Sequence, residues 1–324
     1  MNSSLLLGDE AIAQAALDAG ISGVYAYPGT PSTEITEYIQ QSETARLRGV
    51  HSHWSTNEKT AMEAALGMAF AGKRALVCMK HVGVNVAADA FMNAAVTGVV
   101  GGLVFVAADD PSMHSSQNEQ DSRFYGQFAL IPIFEPSNQQ EAYNMVFEAF
   151  DFSEALGTPV MLRITTRLAH SRAGVTRNAE RAENSLRFSD NPSQFVLLPG
   201  NARKQYNALL AKQALFQDAS VNGLVNCFVP GIDRSKGFLA AGIAYNYLME
   251  HYPEGCPHPI LKIGQYPLPL ETVRTLAAAC DELIVLEEGY PLIEEALTGL
   301  LDSRWVIRGR KDGLLPRTGE LNPD

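Results

Sequence analysis

A doubly wound α/β fold built on a parallel sheet, followed by a second, smaller α/β domain, is what this sequence predicts. Three observations carry that expectation. Through residues 1–165, apolar strand-like runs alternate with helix-period segments at short intervals, as crossover helices between parallel strands require. Residues 166–194 are polar, dotted with arginine and poor in periodic apolar positions, and read as a crossing linker. Over residues 195–324 the strand–helix alternation resumes.

Taken in order, Asp9 is placed to cap a helix through AIAQAALDA that Gly20 closes. VYAY (24–27) reads as a buried strand. Thr30 followed by Pro31 predicts a helix start, and Ile35, Tyr38 and Ile39 continue it at one-faced spacing. Ser55-Thr56-Asn57-Glu58 predicts another start, whose helix carries Ala61, Ala64, Ala65, Met68 and Ala69 and stops at Gly72. ALVCM (75–79) is the next strand, and Asn85 is expected to open a helix through VAADAFMNAAV. LVFVAA (103–108), the run IPIFEP, a helix from Ser137 to Leu156 and PVMLRI (159–164) complete the first domain. The second domain reads as FVLL, a helix over 202–217, GFLAAGIAY, PILKIG, a helix through ETVRTLAAAC, ELIVLEE, a helix from Pro291, and RWVIRG. KDGLLPRTGELNPD is turn-rich with no closing element, as expected where a chain continues or a partner begins.

Composition narrows the function. Hydrophobic residues make up 46% and charged residues 19%, as in a folded globular chain. The net charge of −11, with no cluster of Lys and Arg, argues against a nucleic-acid surface. Leu5–Leu7 is followed at once by Asp9 and Glu10, so neither a signal peptide nor a membrane span is expected, and the cytoplasm is the expected location. The four cysteines, Cys78, Cys227, Cys256 and Cys280, include no C-x-x-C pair. Cys78 in ALVCM and Cys280 in LAAAC are expected to be small buried hydrophobes.

Ligands of open α/β sheets sit at the carboxyl ends of the strands. That draws attention to the loops YPGTPS, KHVGVN and ADDPSMHSSQNEQDSR. Glu58 is the leading candidate for chemistry, with two readings. Ser55-x-x-Glu58 matches a capping box, in which Glu58 would reach back to the Ser55 amide. The helix behind Glu58 is built of alanine, glycine and methionine, so a close-packed, buried carboxyl able to hold a proton is the other reading. Thr30 and Asn85 are either plain N-caps or cleft-lining groups. Lys80 and His81 end a buried strand, an unusual packing choice. His114 lies in a long polar loop that is either surface or part of a site; Asp109, Asp110, Glu119 and Asp121 beside it lack the alternation of a calcium loop. There is no G-x-G-x-x-G after the first strand, no G-x-x-x-x-G-K-[ST] and no G-x-S-x-G.

YPGTPS, WSTNEK with A-x-x-A-A-x-G-x-A behind it, MKHVGVNVAAD and ADDPSMHSSQNEQDSR resemble the indolepyruvate ferredoxin oxidoreductases, at their large (alpha) subunit, within the 2-oxoacid:ferredoxin oxidoreductases. GIAYNY, LKIGQYPLP, VLEEGYPLIEE and PRTGELNP extend the resemblance over nearly the whole chain. It implies a thiamine-diphosphate pyrimidine-binding domain followed by one like the C-terminal domain of transketolase. It also implies oxidative decarboxylation of an arylpyruvate to an acyl-CoA, with coenzyme A as acceptor and ferredoxin taking the electrons. By the resemblance, Glu58 is the glutamate that touches the aminopyrimidine. Its place nine residues before Gly67 is the spacing of thiamine enzymes generally. Thr30 faces cofactor and substrate, and Lys80, His81 and Asn85 line the same cleft.

The departures are equally informative. A G-D-G…N motif and a cysteine-rich tail belong to the family subunit, and neither occurs here. Magnesium and iron–sulfur clusters are therefore expected only on a missing part, and no metal ligand is assigned in this chain. Related pyruvate enzymes carry an arginine where Ala108 and Asp109 stand, so Arg123, with His114, is taken as the substrate-side candidate. Expected partners are a diphosphate-binding domain or subunit, a beta subunit, ferredoxin, and a second copy in a homodimer formed through an alanine-rich apolar face. Two other readings stand beside this one: a pyrimidine-binding subunit of a non-oxidative 2-oxoacid decarboxylase, and a catalytically silent assembly protein of the same fold. The second domain weighs against the former, and Glu58 with its polar loop against the latter.

Overall fold

The computed structural model describes residues 3–300, 306–316 and 319–323. The first half comprises β1 (Ser3–Leu7), α1 (Gly8–Asp18), β2 (Gly23–Ala26), α2 (Thr33–Gln41), α3 (Glu43–Arg48), β3 (His51–Trp54), α4 (Glu58–Phe70), β4 (Ala75–Lys80), α5 (His81–Thr97) and β5 (Leu103–Asp109). It continues with α6 (Arg123–Ala129), β6 (Ile133–Phe134), α7 (Gln139–Leu156), β7 (Val160–Thr165), α8 (Thr166–His170) and β8 (Arg172–Thr176). The second half comprises α9 (Pro199–Asn222), β9 (Cys227–Val229), β10 (Gly237–Ala241), α10 (Ile243–His251), β11 (Ile260–Ile263), β12 (Gln265–Tyr266), α11 (Leu270–Ala279), β13 (Glu282–Leu286), α12 (Leu292–Leu300) and β14 (Val306–Arg308).

A seven-stranded sheet runs β12-β6-β7-β5-β4-β2-β3, parallel throughout except where β12 pairs antiparallel with β6. Its central strands β2, β4, β5 and β7 bury both faces, as a parallel core covered by helices demands, whereas the edge strand β3 is partly exposed. Along β4 and β5, Leu76, Cys78, Val104 and Val106 face the cluster under α1 and α7, while Val77, Met79, Phe105 and Ala107 face α4 and α5. The second sheet, β14-β13-β10-β11-β9, is parallel except for β9. Its inward residues Leu239, Leu261 and Ile263 join the same apolar cluster as Phe105, through Leu209 and Phe216 of α9. The fold is thus a doubly wound parallel sheet joined to a smaller α/β sheet. Among the described residues no helix is long and apolar enough to cross a membrane.

Several local expectations are corrected. Asp9 does not cap α1: Leu7 is the N-cap, its amide is taken by Glu10, and Asp9 is fully buried. The cause is tertiary, since Leu7 is already in β1, paired with β8 inside the expected linker 166–194. Thr30 does not open α2, which begins at Thr33 behind Ser32. Asn85 lies one turn inside α5, which begins at His81. FVLL forms no strand; residues 192–195 make a 3-10 turn and α9 begins at Pro199. RWVIRG lies partly outside the described residues, with β14 covering Val306–Arg308. Cys78 and Cys280 are buried, as expected of small hydrophobes, and burial pushes both thiols up.

Candidate functional site

Because β2, β3, β4 and β5 are parallel and adjacent, the segments that follow them meet at one end of the sheet. Glu58 arrives there as the first residue of α4. Its carboxyl does not form the capping box, because the cap is Asn57, whose side chain accepts from the Thr60 amide at 2.9 Å. Glu58 is only 9% exposed, and its carboxylate has no hydrogen-bond or ion-pair partner among the described residues. It rests on α5 at Gly83, where an added Cβ would lie 2.7 Å from Glu58 Oε1 and Cγ. Ala61, Ala65, Ala87 and Ala94, all fully buried, let α4 and α5 come this close.

The neighbouring loops interlock. After β2, the Ser32 amide donates to the Gly29 carbonyl at 3.0 Å and the Gly29 amide to Thr33 Oγ1 at 2.9 Å, turning the chain tightly. Thr30 stands half-buried in that turn, with no partner for its hydroxyl among the described residues. Lys80 crosses over Gly29, where a Cβ would meet its Cδ at 3.0 Å, and its ammonium donates to the Ser115 carbonyl at 3.0 Å. His81 is 1% exposed; Nε2 lies 3.1 Å from the Asn118 carbonyl, and Nδ1 is buried without a partner. Asn85 accepts a hydrogen bond from the Tyr125 hydroxyl.

The loop between Asp110 and Asp121 is built on Asp110. Its carboxylate accepts from the Ser115 amide at 2.8 Å, Ser116 Oγ at 2.6 Å and Thr166 Oγ1 at 2.7 Å. Burial alone would push that carboxyl up, but Ser116, Ser115, Thr166 and His114 together hold it below its usual range. His114 is half-exposed, its Nε2 3.2 Å from Glu320. The structure therefore places it at the loop's outer edge, beside Arg167, His170 and Glu320.

Arg123 is also not where a substrate carboxylate would need it. It is fully buried, with every guanidinium donor engaged. Nε and Nη2 grip Asp121, the latter at 2.5 Å; Nη1 meets Glu287 at 2.9 Å and Tyr266 Oη at 3.2 Å; Nη2 also donates to the Tyr290 carbonyl at 2.9 Å. Beside it, Arg163 holds Asp109 at 2.8 Å and Glu135 at 2.5 Å, and donates to the Glu288 carbonyl at 2.9 Å. This buried ionic layer joins the two halves. Burial drives Glu287 up to about 7, against the pull of Arg123 and of the Ile293 and Glu294 amides. For Asp121, burial is outweighed by Arg123 and Arg163, which hold it below its usual range.

Sequence reasoning missed Gly83 and this layer. The layer did leave a trace, since Arg163 interrupts the apolar run PVMLRI and Glu287-Glu288 follow ELIVL. A charge inside a buried strand needs a partner. Nothing local marks Gly83, whose role depends on a helix docked across from it.

A parallel sheet wound on both faces, with the segments after its strands gathered at their carboxyl ends, defines an open α/β protein whose cleft lies at that edge. Residues 14–202 match the family described as pyruvate flavodoxin/ferredoxin oxidoreductase, thiamine diP-bdg (thiamine diphosphate-binding), and the chain belongs to that family.

Within it, the chain is 40% identical to indolepyruvate oxidoreductase subunit IorA of Methanothermobacter thermautotrophicus, over 98% of this chain and 52% of that protein. It is 42% identical to the IorA subunit of Pyrococcus abyssi, over 98% of this chain and 50% of that one. The chain thus spans about half the length of these relatives. Among solved structures, the 2-oxoglutarate:ferredoxin oxidoreductase of Magnetococcus marinus superposes with a TM-score of 0.77, over 99% of this chain and 63% of that one; at 14% identity this likeness is one of fold.

Proposed function

We propose that this chain supplies the pyrimidine-side half of a thiamine-diphosphate site in an arylpyruvate (indolepyruvate):ferredoxin oxidoreductase, which decarboxylates a 2-oxoacid oxidatively to an acyl-CoA. The observation that carries the reading is Glu58: the residue is only 9% exposed, and its carboxylate, with no partner among the described residues, stands open to a group from outside the chain. An aminopyrimidine ring nitrogen is such a group, and the buried, unpartnered His81 Nδ1 is a second open valence at the same end of the sheet. When bound, thiamine diphosphate supplies a carbon nucleophile for the 2-oxoacid. Glu58 holds the proton at the ring nitrogen, Gly83 leaves room for the carboxyl, and Thr30 offers a free hydroxyl from the facing turn. Lys80 and His81 shape the cleft by holding the Asp110–Asp121 loop, and Asn85 lines its rim.

The reading includes the division into a pyrimidine-binding domain (1–165), a connecting segment (166–194) and a transketolase C-terminal-like domain (195–324). Magnesium, the diphosphate and the iron–sulfur clusters belong to a partner domain or subunit, together with a beta subunit, ferredoxin and coenzyme A, in the cytoplasm. A homodimer belongs to it too: Val86 and Phe128, near the site's helices, are 47% and 77% exposed. A chain that stays monomeric at high concentration in sedimentation excludes that part.

The test is Glu58→Gln in the assembly reconstituted with the diphosphate-binding partner. Turnover should fall by about two to four orders of magnitude, the loss typical of a positioned acid–base group, while the melting temperature stays near wild type. Unchanged turnover would sink the assignment, and is what the silent assembly protein predicts.

A further inference from the structure

On the other face of the sheet, away from Glu58, three side chains converge that the reading above does not use. Asp9 lies in the first turn of α1, Glu34 in the first turn of α2, and His170 closes α8. Gly8 brings the first and last together: a Cβ there would lie 2.2 Å from the Leu168 carbonyl oxygen, so α1 starts directly against the backbone of α8. One ligand atom from each of Asp9, Glu34 and His170 falls within 4.8 Å of the others. His170 Nε2 is 3.6 Å from Glu34 Oε1.

Asp9 is fully buried, and neither of its carboxylate oxygens meets a hydrogen-bond donor; the buried Glu34 Oε2 meets none either. Two carboxylates facing each other without a donor between them need a proton or a cation. Among the described residues no arginine or lysine fills the gap. Arg167 is engaged with Glu320, Arg177 with Asp18, and Glu10 adds only further negative charge.

We propose that Asp9, Glu34 and His170 form a binding site for a divalent transition-metal ion such as zinc, with one imidazole nitrogen and two carboxylate oxygens as protein ligands and water completing the shell. The imidazole selects against calcium and magnesium, which take oxygen ligands. Bonds of about 2.0–2.2 Å to these donors require the three side chains to draw together. His170 and Glu34 can do so: their side chains are 35% and 36% exposed and provide the entry path, whereas Asp9 is fully buried. The ion would clamp α1, α2 and α8 at the start of α2, immediately behind the YPGTPS turn. This site is independent of the thiamine reading and takes no part in it.

The experiment uses the full chain stripped by a chelator, titrated with zinc chloride alone by calorimetry and followed by thermal denaturation. One zinc per chain should bind and raise the melting temperature. His170→Ala and Asp9→Asn should each weaken that binding by about ten-fold or more, since losing a direct ligand exceeds the loss of an outer-shell one. His170 is partly exposed, so its variant keeps the test valid should Asp9→Asn misfold. Zinc binding equal in wild type and His170→Ala would overturn the proposal by locating the ion at another site, such as the exposed Cys227. No zinc binding in wild type, with Asp9→Asn raising the melting temperature, would overturn it in favour of a shared proton between Asp9 and Glu34.

Discussion

The carboxyl of Glu58 lies against the bare Cα of Gly83, so closely that a methyl group at Gly83 would fall 2.7 Å from Oε1. The two residues belong to different helices and are 25 positions apart in the chain. Gly83→Ala therefore displaces the carboxyl without touching its chemistry. Alanine favours the helix by about 1 kcal/mol over glycine, which offsets part of the crowding. The melting temperature should change little, while turnover of the reconstituted assembly drops about a hundred-fold, as for a catalytic group moved by about 1 Å. Near-normal turnover would show that Glu58 tolerates displacement and that its position is not the functional quantity.

The cap of α4 separates local stability from the site. Asn57→Ala removes the acceptor of the Thr60 amide and should destabilise the chain by about 1 kcal/mol in urea denaturation. Ser55→Ala should leave stability within experimental error. The opposite ranking would restore the Ser55–Glu58 capping box.

Breaking the buried ionic layer should be far more costly. Arg163→Ala strands the carboxylates of Asp109 and Glu135 inside the protein. A loss of about 3–5 kcal/mol is expected, the cost of leaving a buried charge uncompensated. Denaturant unfolding measures it, and a loss below 1 kcal/mol (roughly the exposed-pair value) would mean that water reaches the layer.

The pH dependence of stability has a definite sign at Glu287. Its carboxyl titrates at about 7 in the folded chain, against 4.5 for the ordinary group. Between those values the folded state holds more protons than the unfolded one, so stability falls as pH rises. The full benefit is present below the lower value and is lost once pH passes the upper one. Asp109, Glu288 and Asp9 are raised in the same direction, so the difference between wild type and Glu287→Gln isolates this residue. The variant should show a flatter melting-temperature profile from pH 5 to 8 (roughly the span that links the two values). Parallel profiles would show that Glu287 keeps its ordinary affinity for protons.

What the sequence by itself determined is the alternation of buried strands and helices, and hence a parallel sheet with its loops gathered at one end. The apolar runs 75–79, 103–108 and 159–164 became β4, β5 and β7, because burying both faces leaves strong and local marks. Glu58 was legible for the same reason, as an acid opening a helix of small residues. What only the tertiary structure decided depends on partners remote in sequence. Leu7 rather than Asp9 caps α1 because β8 extends β1; Arg123 is sealed away because Glu287, Tyr266 and Tyr290 close over it from the second half; Gln265 and Tyr266 form a strand only because β6 offers an open edge. Spacing along a chain reports periodic burial, whereas charge pairing and close approach are set by which surfaces the fold brings together.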